Sequence, residues 1–345
     1  MLSEGKHDIC HIVVTHKFFL IGLAGRPAFK AEQHMKSVII FGATLLLLLT
    51  CYEPEEAAKA INSLPYARPD SILLELQYRD ESGKAFERKI TVDPTQLAVV
   101  IVDMWNSHGC ATMVQKEVEL IPLMNRTLEA ARQLGIQVVF APSECHSAEK
   151  WAGKPQRTAV LALENHPLPA SNGFYPVEMP DWASSCMCPV TKLQVGTRNP
   201  VFNCTHGGRF TDQHPLLVVK DQDVFIDANG VSDAINSWGA PAQQELYNLC
   251  VARRIKYILY AGCATNMCIV NREFAMIQMR RLGFIPVLVR DLTHAMTYNG
   301  YNPESRMPDA DFTPARGTAL SIQSIERFIG PSISSVQILN PASAQ

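Results

Sequence analysis

From residue 97 onward, short wholly apolar runs alternate with longer amphipathic ones, and that rhythm leaves few folds open. Leu97-Ala98-Val99-Val100-Ile101-Val102 has no polar position on either face, the mark of a strand buried on both sides. An amphipathic stretch over 118–134 follows, closed by Gly135 as a helix C-terminal signal. Residues 136–141 form the next apolar run, and 216–219 is expected as a third core strand. Residues 243–254 read as a helix, 257–261 as a strand and 267–282 as a helix ended by Gly283. A strand over 284–289 and a last helix over 318–329 complete the series. Upstream, Ser71–Tyr78 and Phe86–Thr91 flank the turn residues Asp80-Glu81-Ser82-Gly83, a hairpin pattern.

Strands alternating with helices predict an α/β fold: a three-layer α/β/α arrangement around a central, mainly parallel sheet with right-handed crossovers. The N-terminal hairpin precedes it, and a loop-rich insertion rich in Pro, Gly, Cys and Trp interrupts it at 143–215. Ligands of such sheets sit beyond the carboxyl ends of the strands, so the residues that follow each strand are the ones to question for chemistry. Composition narrows the function classes. A hydrophobic content of 47 % supports a packed core, and a net charge of −2 with scattered Lys and Arg excludes a nucleic-acid binder. No apolar run reaches the ~18–20 residues of a membrane span.

The start of the chain reads as a leader. The apolar run 38–49 follows Met35-Lys36 and precedes Ala58-Lys59-Ala60, the layout of a secretory signal peptide. Met35 is then the expected start, residues 1–60 stand outside the fold, and 61–345 form one domain. Cys51 stands in a weak lipoprotein-acceptor context, and a buried core helix is the alternative for the run. The expected location is the periplasm or cell envelope.

The segment Tyr260-Ala261-Gly262-Cys263-Ala264-Thr265-Asn266-Met267-Cys268 runs from a buried strand through a tight turn into a helix start. A thiol at that place faces backbone N–H groups that favour thiolate and can stabilise an oxyanion; the bland alternative is a small buried hydrophobe. Asp103 ends the first core strand, placed for general acid–base work, or else for capping a turn. Lys220 directly follows the expected strand 216–219 and could hold a thiolate and orient the acid.

These residues together resemble the isochorismatase-like cysteine hydrolases, a group that includes nicotinamidases and N-carbamoylsarcosine amidase. The resemblance covers roughly residues 95–330 and rests on Asp103, the lysine after a middle strand, and Gly262-x-x-Thr265-x-x-Cys268, followed by Ala275, Gly283 and a strand ending in Arg290-Asp291. It implies a triad of Cys268, Asp103 and Lys220, with Lys192 as the fallback cation. It also implies a cis peptide between Cys263 and Ala264 and an oxyanion hole built from the N–H groups of Ala264 and Cys268. The implied reaction is thiolate attack on a small-molecule carbonyl, release of an amine, then hydrolysis of the thioester.

Family members with a catalytic metal carry an Asp-x-His motif after the second strand. Here Ser143-Glu144-Cys145-His146 stands in that place, with His166 downstream, and the ligand set departs far enough that no metal or other cofactor is expected. Cys186, Cys188, Cys204 and His206 are read as disulfides or a metal site; an exported protein favours disulfides, with Cys110 a further partner. Trp105, His108, Trp151, Phe174 and Tyr175 are candidate pocket or core aromatics. The expected protein is an exported hydrolase of C–N bonds, amide or carbamoyl, without a nucleic-acid partner, and the family resemblance implies a homo-oligomer. Rival readings are a non-catalytic small-molecule binder, a vinyl ether hydrolase of the isochorismatase type, and a metal-dependent hydrolase using the insertion.

Overall fold

In the computed structural model, residues 68–106, 111–142, 151–180, 198–199, 204–205, 213–228, 239–297 and 300–343 are described. The apolar run 38–49, Cys51 and the Ala58-Lys59-Ala60 pattern lie outside them, as do Cys110, Glu144, His146, Cys186, Cys188, Lys192 and His206. All described residues fall in one compact unit, Tyr66–Gln345.

The hairpin forms first, from strands β1 (Ile72–Arg79) and β2 (Ala85–Val92), with Ile72 opposite Val92 and Arg79 opposite Ala85. Asp80 closes its turn by accepting from the Lys84 N–H at 2.9 Å and the Ser82 hydroxyl at 2.6 Å. Strand β3 (Leu97–Val102) is buried along its whole length, as its unbroken apolar run requires. Helix α1 (Ala111–Leu134) begins earlier than its amphipathic pattern indicates and ends where expected. At Gly135, with φ of 80°, the Ile136 N–H donates to the Ala131 carbonyl, so a left-handed residue terminates the helix.

Strand β4 (Gln137–Ala141), helix α2 (Pro155–Leu161), strand β5 (Val224–Phe225), helix α3 (Pro241–Arg253) and strand β6 (Tyr257–Cys263) follow. Beyond β6 come the short helices α4 (Cys268–Asn271) and α5 (Met276–Arg281) and strand β7 (Ile285–His294). Helix α6 (Pro314–Phe328) starts on Thr313, whose hydroxyl accepts from the Arg316 N–H at 3.2 Å, with Pro at the first helical position. Strand β8 (Ser332–Ile333), helix α7 (Val336–Leu339) and strand β9 (Ala342–Ser343) end the described chain.

The nine-stranded sheet has the order β9-β1-β8-β7-β6-β3-β4-β5, with β2 on the outer side of β1. From β8 to β5 every pairing is parallel, whereas β1 runs antiparallel to β2, β8 and β9. The fold is therefore the three-layer, mainly parallel α/β class. Two cores result, one on each face. On one, Leu97, Val99 and Ile101 pack with Met124 and Leu128 of α1; on the other, Ala98 and Val100 pack with Leu246 and Leu249 of α3 and Ile325 of α6. This alternation is the period-two geometry of a strand read from both sides. Glu326 of α6 joins the antiparallel part to the rest, accepting from Gln77, Arg79 and Ser332.

One expected strand is absent from the sheet. Residues 216–219 run along α1 instead: Asn125 accepts from the Val218 N–H at 3.0 Å and donates to the Leu216 carbonyl at 2.8 Å, and Arg132 donates to the Val218 carbonyl at 2.9 Å. With those backbone groups taken up by helix side chains, the middle strand forms later, at Val224–Phe225. The expected single helix over 267–282 is likewise two short ones, separated where Arg272 leaves helical geometry at ψ of 155°.

Candidate active site

The carboxyl ends of β3 and β6 lie side by side, with Val102 in register with Gly262. Gly262 has φ of 104°, and a Cβ there would run into the Val102 carbonyl, so only glycine allows the two strand ends to meet. Just beyond, the peptide bond between Cys263 and Ala264 is cis. The following turn is tied to the end of β7: the Thr265 N–H donates to the His294 carbonyl at 2.8 Å, and the Thr265 and Thr293 hydroxyls meet at 2.6 Å. Asn266 clamps the Met296 backbone, accepting from its N–H at 2.8 Å and donating to its carbonyl at 3.4 Å.

That anchored turn delivers Cys268 to Asp103. The thiol is hydrogen-bonded to the Asp103 carboxylate, and the Ala264 N–H also points at the sulfur. Asp103 is fully buried and takes φ of 45°, a left-handed conformation that aspartate tolerates better than most residues and that persists only where its surroundings enforce it. Arg272 completes the group, its Nε donating to Asp103 Oδ2 at 3.3 Å while its own side chain is only 7 % exposed. It can do so because the chain leaves helical geometry at Arg272, directly after the single turn of α4.

Lys220 is not among these residues. It is exposed and precedes β5, its N–H donating to Asp223 Oδ2 at 2.6 Å. Strand β5 is parallel to β4, so Lys220 stands at the amino end of the sheet, opposite the end where Cys268 and Asp103 meet. Its neighbour Asp223 is engaged by Arg132 through paired hydrogen bonds of 2.9 and 2.8 Å, fixing the turn that enters β5. Lys220 is expected directly after a strand at 216–219; Arg272, four residues beyond the cysteine, is the cation found against Asp103 among the described residues, and the fallback Lys192 lies outside them.

Two further carboxyl groups border the site. Glu117 of α1 is 1 % exposed, receives the Trp105 N–H, and leaves Oε2 without a hydrogen bond. Burial, reinforced by the Asp103 charge, pushes its pKa up to about 9. Glu273 is equally buried, and desolvation raises its pKa also. Cys268 itself is pushed up, by burial first and then by the Asp103 charge, against the pull of Arg272 and the Ala264 N–H. The resting sulfur is thus a protonated thiol facing a carboxylate acceptor, not the free thiolate that a helix start suggests. A one-turn helix supplies little of the expected dipole.

The other sequence candidates are scattered. His166 belongs to a structural contact in which its N–H donates to Asn248 Oδ1 at 3.0 Å and its carbonyl accepts from Gln244. Trp151 stacks on Phe225 with ring centroids 4.1 Å apart, and Phe174 lies under the Arg280 guanidinium at 3.8 Å. Trp105 is buried and Tyr175 exposed. Among the described residues, Cys250, Cys263 and Cys268 are free thiols, and no group of His, Cys, Asp and Glu could hold a metal ion.

Residues 97–304 match the family model of the isochorismatase domain. The chain belongs to the isochorismatase family. Membership supports a hydrolytic function, and the matched span contains Asp103, Glu117, Cys268 and Arg272. No curated protein matches the chain. Among solved structures, a cysteine hydrolase from Pseudomonas syringae is similar at 14 % identity, over 72 % of this chain and 92 % of that one, with a TM-score of 0.41. An isochorismatase family protein from Burkholderia thailandensis is 16 % identical over 72 % of this chain and 95 % of its own, with a TM-score of 0.39. An isochorismatase from Pseudomonas putida is 10 % identical, over 71 % and 91 %, with a TM-score of 0.41. Among the described residues of this isochorismatase-family domain, the cation in contact with Asp103 is Arg272, and the buried acids Glu117 and Glu273 lie nearby.

Arg272 and Glu117 escaped sequence reading for identifiable reasons. Arg272 falls inside what reads as a continuous helix, where its direction cannot be assigned. Glu117 carried a usable signal: with Met113, Leu120, Ile121 and Met124 buried around it, it is an acidic residue on the apolar stripe of α1, where carboxylates are seldom found without a reason.

Proposed function

We propose that this protein is a cysteine hydrolase that cleaves a C–N bond, amide or carbamoyl, in a small molecule, using Cys268, Asp103 and Arg272. The observation that carries the reading is the hydrogen bond from the Cys268 thiol to the buried Asp103 carboxylate, which Arg272 holds from its other side.

In this mechanism the sulfur attacks the substrate carbonyl carbon as its proton passes to Asp103. The carbonyl oxygen becomes an oxyanion, which the Ala264 N–H, hydrogen-bonded to the resting sulfur, would receive together with the Cys268 N–H. Such a donor is worth about 2.7–4 kcal/mol in the transition state. Collapse breaks the C–N bond, and Asp103 returns its proton to the departing nitrogen. Water then attacks the thioester, Asp103 takes the water proton, and the thiol leaves reprotonated. Arg272, donating to Asp103 Oδ2, keeps the acid oriented between its two duties. The Arg272 charge also lowers the cost of forming a thiolate in a buried place.

The test is a panel of amides and N-carbamoyl compounds with mass detection of an acyl adduct. Hydrolysis with an adduct on Cys268, and loss of at least about 1000-fold in kcat/KM in Cys268→Ala, is the expected result. A Cys268→Ala protein that turns over substrate as fast as wild type overturns the reading. Export is a separate proposal, supported by the apolar run 38–49 and its flanks; a mature N-terminus near residue 61 in the cell envelope fraction is the expected result, and an uncleaved chain in the cytosolic fraction overturns it.

A further inference from the structure

Glu117 is the most anomalous group near the site. It is a carboxyl on the inner face of α1, 1 % exposed, with one oxygen engaged by the Trp105 N–H and Oε2 without a partner. Among the described residues, no cation is set against it in the way that Arg272 is set against Asp103. Its electrostatic neighbours are the acid of the proposed mechanism, Asp103 at the end of β3, and the Cys263 thiol at the end of β6. On its own helix, Lys116 and Glu119 pair with each other at 2.9 Å, and both act electrostatically on His294 at the end of β7. An ionised Glu117 would place a second buried negative charge beside Asp103.

We propose that Glu117 is a positioning residue, kept as a neutral carboxylic acid so that Asp103 remains the single anion facing the Cys268 thiol. This inference deepens the hydrolase reading and rests on its assignment of Asp103 as the proton acceptor. Its chemistry is simple. While Glu117 holds its proton, Asp103 has Arg272 as its counter-ion and the thiol as its hydrogen-bond donor. When Glu117 loses its proton, the added charge makes the Cys268 proton harder to remove and pairs a like charge against Asp103. The reactive thiolate pool then stops growing over the range in which rising pH ought to enlarge it. A purely structural carboxyl would show no such plateau.

The experiment compares wild type with Glu117→Gln, whose amide has the same shape and no charge, by following iodoacetamide alkylation of Cys268 with pH. In the variant the logarithm of the rate should keep rising with pH, whereas in wild type it should flatten above about pH 9, leaving wild type at least about 3-fold slower by about pH 10.5. Where a substrate is known, the alkaline fall-off in kcat/KM should disappear in Glu117→Gln. Superimposable pH profiles overturn the proposal. If Glu117→Gln does not fold, the ¹³C carboxyl resonance of Glu117 in the full-length wild-type protein decides: a midpoint above about pH 7 supports the proposal and one below it overturns it. Alkylation and resonance are read without turnover. A protein that hydrolyses nothing on the panel would sink the hydrolase reading while these two measurements still judge Glu117.

Discussion

Arg272 and Lys220 illustrate how much one side chain's location decides. Both are cations that could serve an aspartate, but one is buried against Asp103 and the other is exposed before β5. Arg272→Met should lower kcat/KM by about 100-fold or more, because it leaves Asp103 a buried charge without its counter-ion. Lys220→Ala should change kcat/KM by less than about 2-fold. Steady-state kinetics on the two variants, with a circular dichroism check of folding, separates the assignments. At this scale the residue pattern put Cys268 and Asp103 at neighbouring strand ends, where they do meet, and was silent about the arginine beside them. Cys268 and Asp103 were legible because each follows an apolar strand. Arg272 was hidden because its approach to Asp103 depends on a helix that stops after one turn, and no residue pattern over 267–282 announces that break.

The elements repeat the lesson with different physics. Strands β3, β4 and β6 were legible as unbroken apolar runs, since a strand covered on both faces has no polar positions to confuse the reading. Residues 216–219 present the same apolar run and are not a strand. Their backbone groups are satisfied by Asn125 and Arg132 of α1, a tertiary contact that local pattern cannot reveal. The same arginine holds Asp223 in a fully buried pair, and that pair sets where β5 begins. Asp223→Ala should therefore cost about 3 kcal/mol, leaving the buried Arg132 guanidinium with only its longer, 3.6 Å pairing to the half-exposed Glu129. Urea unfolding with unchanged m-value would register it.

For the molecule as a whole, the buried acids link stability to pH. Burial pushes the folded-state pKa of Glu117 up to about 9, against an ordinary 4.5. Its folded-state pKa is raised, so its contribution is fully present below about 4.5 and is lost as pH rises through about 9. Glu273 acts in the same direction. Glu117→Gln, which has no proton to lose, should melt above wild type at pH 8, and the gap should close as pH falls toward about 4.5. Thermal unfolding across that range tests the sign; a gap that widens on acidification would contradict it.

Strand β1, which opens the described fold, pairs with β8 and with the last strand, β9, with Ile72 opposite Ser343. The two extremities of the folded unit thus meet in one ladder. A short linker could join them and new ends be cut in an exposed loop elsewhere, so a circularly permuted chain would rebuild the same sheet, with Asp103 and Cys268 still brought together by β3 and β6.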